Sequence, residues 1–525
     1  MSKTEELSKT EPTTVSTSDE QSAEPEQVNR LGTAKLGKLI LEFAIPSIVA
    51  MLVNGLYNII DGVFMGLGVG EMGQAVATVS MPIMLLSIAI SAMIGAGGNA
   101  LVALRLGEGK RDEAEHALGQ ACFMVVVGAI VATILVNILM GPLLSISGAD
   151  PSLWTPSATN TNVALHDPHI FIHIISAGFI LQFFGMGFSN FIRTAGAPKR
   201  ALWTMLAGSI TCIILNFLFV IVLHMGVAGS ATATIIGQGV SAVLVLYYFI
   251  FSKKAPFKLH LHYILPPVGR FLKNITALGV ATFVLQIANS IINLVLNNQL
   301  AIYGAMAFLG VAGIGATAAQ ASVGVAVKVI MVSFFPLLGV AMAVQPLIGY
   351  NYGAKLYHRV KRTFLLGFCW TFAIGLFFWL LVHLFPGPIA SLFGLAPGTA
   401  AGDYCMYVLQ VQAFFLPILG IQILGANFFQ SVGSPLKSMF LSLTRQLLYL
   451  IPLILLLPFL QSVFAFMPFG FHITPLDAVN LAYPTADILA VITSVLMMWR
   501  EFKRLTKMQK EQAELGQGYT LKTHE

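Results

Sequence analysis

The sequence predicts an all-α polytopic membrane protein, with twelve transmembrane helices in two six-helix lobes related by a pseudo-two-fold axis. Three observations carry this. Hydrophobic residues make up 56% of the 525-residue chain and charged residues only 10%, more apolar matter than a soluble core of this length would use, so the bilayer is the solvent. All but two of the 29 Lys and Arg residues lie in the tails or in alternate gaps between apolar runs, the bias that orients a polytopic protein. The third observation is an internal repeat.

In chain order, residues 1–33 are rich in Ser, Thr, Glu and Gln, with few large apolar side chains. Such a composition cannot offset ordering entropy and reads as a disordered tail. The first apolar run begins near Leu39, too late for a signal peptide. Runs able to cross about 30 Å of hydrocarbon, roughly 20 residues each, lie near 40–66, 74–104, 117–140, 170–192, 201–223, 229–251, 272–300, 315–349, 364–385, 403–429, 438–458 and 479–499. The gaps at Arg105/Lys110/Arg111, Arg193/Lys199/Arg200, Lys253 to Lys273, Lys355 to Arg362 and Lys437 are basic. Those near 67–73, 141–169, 224–228, 302–312, 386–402 and 459–478 contain no Lys or Arg. Positive charge resists translocation, which places the basic gaps and both tails in the cytoplasm. The expected organisation is a tail (1–33), an N-terminal lobe (34–251), a cytoplasmic linker (252–271), a C-terminal lobe (272–507) and a second tail (508–525). The net charge of +6 faces anionic lipid; no basic stripe alternates with aromatics as a nucleic-acid surface would require.

The repeat is visible at three landmarks. Asn190-Phe-Ile-Arg-Thr-Ala-Gly196-Ala-Pro198 returns as Asn427-Phe-Phe-Gln-Ser-Val-Gly433-Ser-Pro435, an offset of 237. Arg105-Leu-Gly107 answers Asn351-Tyr-Gly353 at 246, and Ala233 to Gln238 answers Ala482 to Asp487 at 249. The offsets change at a polar insert around Trp154 to Asn162 and at the longer gap near 459–478. Two halves that both start in the cytoplasm are parallel repeats about an axis along the membrane normal.

Such halves can rock about a central site, the geometry of alternating access, whereas a channel would show a filter of equivalent rings. There is no HExxH, GxSxG or P-loop, and the four cysteines have no metal or redox spacing, so neither an enzyme nor a cofactor-dependent protein is expected. Ionisable residues within apolar spans are costly and mark function. Here they are Asp61, Lys328, Arg445 and Asp487. Asn54, Tyr57 and Asn58, seven, four and three residues before Asp61, share one broad polar helical face with it. In the second half an unpaired charge would be costly, so Lys328 or Arg445 is expected to contact Asp487. Gln345 and Gln446 would complete that buried network or line the cavity.

The run Phe43-Ala-Ile-Pro46-Ser through Asn54-Gly-Leu-Tyr57-Asn58-Ile-Ile-Asp61-Gly-Val-Phe-Met-Gly66 resembles the opening of multidrug and toxic compound extrusion (MATE) transporters, in particular their bacterial MepA-like branch. The resemblance continues through Arg105-Leu-Gly-Glu-Gly, Asn190 to Pro198, Gln345 to Lys355 and Ala482 to Asp487. It implies two six-helix lobes forming a V, and export of amphipathic, often cationic drugs driven by H+ or Na+ entry. It also implies a multi-pass monomer of the bacterial inner membrane, whose partners are small molecules and the bilayer, with no nucleic acid.

Matched to the family motif, Asp61 is the proton or cation carboxylate of the N-terminal lobe, grouped with Asn216 and Thr234. The chain departs from the family pattern after Asn216. An Asp expected four residues later is absent, Val220 standing there, and the following Gly226-Val-Ala-Gly-Ser-Ala-Thr-Ala-Thr234 comes about four residues early relative to the family run. A single carboxylate suits one proton better than a coordinated Na+. The rival reading within the superfamily is a flippase for lipid-linked precursors, or a metabolite exporter. A flippase for pyrophosphate carriers would line its cavity with several cations, whereas only Lys328 and Arg445 lie in the spans.

Overall fold

The structure, a computed structural model, describes residues 26–69, 71–146, 167–252, 255–307, 315–395, 397–464 and 474–522. Among them the regular structure is helical throughout. The N-terminal half runs Leu36–Val69, Glu71–Gly107, Arg111–Ile146, a bent fourth span, Pro198–Asn216 continuing as a π-helix over Phe217–Val222, and Gly226–Phe251. The C-terminal half runs Gly269–Ala307, Gly315–Gly353, Tyr357–Leu384, a divided tenth span, Pro435–Leu443 continuing through a π-helix (Thr444–Leu450) into Ile451–Phe464, and Pro475–Lys522.

Ten helices are individually long and apolar enough to cross a bilayer. The fourth span is Pro168–Ala177 followed by Phe179–Thr194, bent by 54°. The tenth is divided between Ala400–Gln412 and Gly420–Ser431. Pro417 lies in that break and has no N–H to give a helical hydrogen bond. With both broken spans, twelve crossings result.

The repeated turns fold alike, bond for bond. At the end of the fourth span Ala197 N donates to Ile192 O and Gly196 N to Arg193 O; at the end of the tenth, Ser434 N donates to Phe429 O and Gly433 N to Gln430 O. Gly196 and Gly433 take φ of 77° and 73°, the left-handed position that closes a helix and that glycine occupies without strain. After the second and eighth spans the pattern recurs: Lys110 N to Arg105 O and Gly109 N to Leu106 O match Leu356 N to Asn351 O and Lys355 N to Tyr352 O.

The two halves meet at the end that bears these basic turns. A Cβ placed on Gly97 would strike Ile275 O, and one on Gly279 would strike Met93 O; Gly107 abuts Tyr350 O and Gly353 abuts Leu104 O. Small residues here let the second span lie directly on the seventh and eighth. The first and eighth spans also touch, antiparallel, at Gly55 against the Phe335 ring and at Gly339 against Ile48. Towards the opposite end they part, since a Cβ on Gly62 or on Gly324 would meet nothing within 4 Å. The halves thus form a V, closed at the basic end.

Three features of the tails and linker go beyond the sequence reading. Glu26–Thr33, at the end of the expected disordered tail, is a helix, because Leu31 is buried and its carbonyl accepts from Asn351 and Arg359. The helix that carries the last span runs on past the expected lobe boundary at 507 to Lys522. The linker is strapped down: Gln120 of the third span donates to the carbonyls of Tyr263 and Pro266 at 2.7 and 3.2 Å and accepts from Val268 N at 2.9 Å. The polar insert around 154–162 lies outside the described residues.

Candidate coupling and binding sites

The first span delivers Asp61 into its own lobe. Asn216 Nδ2, at the end of the fifth span, donates to Asp61 Oδ1 at 2.8 Å, and Ser230 Oγ of the sixth span donates to the same oxygen at 3.0 Å. One turn before Asp61, Tyr57 OH donates to Thr234 Oγ1 at 3.3 Å. Cys212 Sγ lies 3.8 Å from Thr234 Oγ1 and 3.6 Å from Asn216 Nδ2. The spacing explains the cluster: Tyr57/Asp61, Cys212/Asn216 and Ser230/Thr234 are each four apart, so each helix presents two polar groups on one face. Gly68, packed against Val220 Cγ1, lets the first and fifth spans approach closely.

Asp61, Tyr57, Asn216 and Thr234 are therefore brought together as grouped from the sequence. Asn54 lies half-buried two turns before Asp61, and the Asn58 side chain lies outside the described residues. Val220 is wholly buried as an apolar packing residue beside Gly68. Ser230 and Cys212 escaped sequence reasoning, although Ser230 precedes Thr234 by four residues and Cys212 precedes Asn216 by the same interval.

The chemistry of the donor set fits a carboxyl that takes and loses a proton. An amide N–H and a hydroxyl stabilise the charged form. The Asn216 Oδ1 is buried with no partner among the described residues, and a half-turn of that amide would offer it to a protonated Asp61. No group of three or more His, Cys, Asp or Glu side chains able to hold a metal occurs among the described residues.

The C-terminal lobe holds a different arrangement. Arg445 Nε donates to Asp487 Oδ1 at 2.6 Å, with the two side chains 10% and 1% exposed. The guanidinium sits 5.4 Å from the centre of the Phe334 ring. Arg445 is carried by the π-helix Thr444–Leu450, a local unwinding that often marks functional positions. The N-terminal counterpart begins at Phe217, next to Asn216.

Three sequence-derived members do not join the pair. Gln446 Nε2 donates instead to Asn289 Oδ1 at 3.0 Å. Gln345 is buried nearer the basic end and donates to Gln430 at 3.2 Å, because it lies eleven residues, about three helical turns, past Phe334 on the same helix. Lys328 is not buried; it is exposed and forms no ion pair among the described residues, because the eighth span has already diverged from the first at its height.

The family can now be assigned. A protein-family profile described as MatE matches residues 46–218 and 294–456, more than half the chain. The chain belongs to the MatE family. Among curated relatives, it is 24% identical over 328 residues to the multidrug export protein MepA of Staphylococcus saprophyticus, covering 62% of this chain and 67% of the relative. It is 22% identical over 333 residues to MepA of Staphylococcus aureus, covering 63% and 68%. Among solved structures, an outward-facing multidrug resistance MATE transporter of the MOP superfamily superposes with TM-score 0.79 at 22% identity, covering 92% of this chain and 99% of that one. A MATE structure described as straight gives the same TM-score, identity and coverage. These likenesses agree with the two-lobe, twelve-span fold of this MatE chain.

Proposed function

We propose that this MatE chain is a secondary active efflux transporter that exports amphipathic small molecules in exchange for protons by alternating access. The single observation that carries the coupling is the Asp61 carboxylate, held inside a predominantly apolar lobe by Asn216 and Ser230. The basic end is assigned to the cytoplasm, with both chain ends on that side of the bacterial cytoplasmic membrane. The V then opens outward, so a proton can reach the N-terminal lobe from outside.

Protonation would remove a buried charge and exchange the Asn216 donor for its acceptor oxygen, altering how the first span packs on the fifth and sixth. The substrate and the proton need not share atoms; each has only to favour a different arrangement of the lobes. The proton is favoured over Na+ because two hydrogen-bond donors, rather than several ligand oxygens, face Asp61. The Arg445–Asp487 pair is assigned to holding the C-terminal lobe together.

A flippase for pyrophosphate-linked lipids is disfavoured by the same residues. Arg445 is committed to Asp487 and Arg193, at the basic end of the fourth span, is buried against Asn190 and Met205, which leaves Lys328 as the exposed cation at the depth of the cleft. Expression in an efflux-deficient, drug-sensitive bacterium tests the reading with a panel of dyes. Accumulation should fall on expression, a protonophore should restore it, and removal of Na+ should leave it unchanged. Extrusion that persists with the protonophore and stops without Na+ would reject proton coupling.

A further inference from the structure

The wall of the cleft opposite Asp61 carries a positive charge. Phe335 and Gly339 of the eighth span pack on the first span at Gly55 and Ile48. Continuing that stripe away from the basic end by helical spacing gives Val332 and then Lys328. Val332 is 38% exposed, its neighbour Met331 is 55% exposed, and Lys328 is exposed too. Lys328 lies about 10 Å beyond Phe335 at the helical rise, where the first and eighth spans have parted. The seventh span repeats the geometry: Gly279 touches the second span, and helical spacing along that stripe leads to Gln286 and Asn293, the latter exposed. Asn293 Nδ2 donates to Asn289 O at 2.9 Å and has a second hydrogen to give.

Lys328 and Asn293 each stand roughly seven helical turns from the basic end of their spans, as Asp61 does. They therefore face the cleft at about the height of the coupling site. The opposite charge is missing from that cleft. Among the described residues the carboxylates at that depth of the spans are Asp61, engaged inside its lobe by Asn216 and Ser230, and Asp487, paired with Arg445; others stand nearer the helix ends, such as Glu42 paired with Arg30 and Asp403 and Asp477 accepting from Gly398 N and Thr474 N. A cationic drug at this height would meet an ammonium and amide donors, with no exposed carboxylate among the described residues beside them to receive it.

We infer that the cleft binds amphipaths carrying a carboxylate or similar anionic group, as anions or zwitterions, through Lys328 with Asn293 beside it. This names the substrate class within the transport reading above and rests on it. It replaces the preference for cations that the family resemblance implies.

The test uses the full chain in nanodiscs of neutral lipid and a matched pair of probes: a rhodamine with a free carboxylate and its methyl ester. Fluorescence anisotropy should give tighter binding of the free acid. Lys328→Gln should weaken the acid by about tenfold, the scale of one charge-assisted hydrogen bond, and leave the ester unchanged. Lys328→Arg should keep the preference and Lys328→Glu should reverse it. Equal changes for acid and ester, or no change for either, would overturn the inference. Adding anionic phosphatidylglycerol distinguishes a lipid headgroup from a substrate: displacement of the acid only where Lys328 is present would assign the site to lipid and likewise overturn it. Efflux of both probes by the unsubstituted protein, without Lys328 dependence, would refute this inference alone; absence of energised efflux for every dye tested would refute the transport reading.

Discussion

Removing one member of the Arg445–Asp487 pair should be far more damaging than removing both. The bond is short at 2.6 Å, Asp487 is 1% exposed and Arg445 10%, and the second carboxylate oxygen is buried with no partner among the described residues. The pair is thus desolvated, and its mutual attraction is what offsets that cost. Arg445→Met strands a carboxylate, and Asp487→Leu strands a guanidinium that lies over the Phe334 ring. Each single change should cost about 3–5 kcal/mol, whereas replacing a buried pair by apolar residues is often close to neutral. The double variant should therefore recover most of either loss, with a coupling of about 3 kcal/mol. Reversible unfolding of purified protein in mixed detergent micelles, followed by tryptophan fluorescence, measures all four corners of the cycle. Additive losses in the double variant would refute the pairing argument.

Further expectations concern the coupling cluster, the lobe contact, the linker and the orientation. Ser230→Ala should slow proton-driven dye efflux while Ser230→Thr retains it, checked in energised vesicles. Gly279→Val should disrupt closure at the basic end, since its side chain would meet Met93 O; higher reactivity of a cysteine placed at Ser431 towards a small thiol reagent in solubilised protein would report this. Gln120→Ala removes three hydrogen bonds to the linker and should raise amide exchange across residues 255–271 by about 1–3 kcal/mol of lost protection. For orientation, cysteines at Ala197 and Ser434 should be shielded from an impermeant external reagent in intact cells and one at Thr474 should react, in a background lacking Cys122, Cys212, Cys369 and Cys405. Gly107 and Gly353 are unsuitable for that experiment, because each lies against backbone of the other lobe.

The span count and the repeat were legible because they depend on composition, charge placement and turn glycines, which act locally. Gly196 and Gly433 illustrate this: the sequence match at those positions is also a match of φ and of hydrogen bonds. The polar face of the first span was legible for the same reason, since helical spacing places Tyr57 and Asp61 together. Ser230 was not, because its role depends on how the sixth span rotates against the first. Lys328 was misplaced for a related reason. Position in an apolar run reveals depth in the membrane, but only the divergence of two packed helices determines whether that depth is core or cleft. The helix at Glu26–Thr33 was hidden by the polar residues around it, its docking resting on one buried leucine and on carbonyls that Arg359 and Asn351 reach from the eighth and ninth spans.

Proton coupling through Asp61 is tested most directly in proteoliposomes holding only this protein, with a pH gradient imposed and both dye movement and proton flux recorded. The unsubstituted chain should move dye against its gradient with simultaneous proton influx. Asp61→Asn keeps the shape of the protonated acid but cannot release a proton, so it should abolish both fluxes while dye binding stays measurable. Dye extrusion by Asp61→Asn at the unsubstituted rate, under the same gradient, would contradict the assignment.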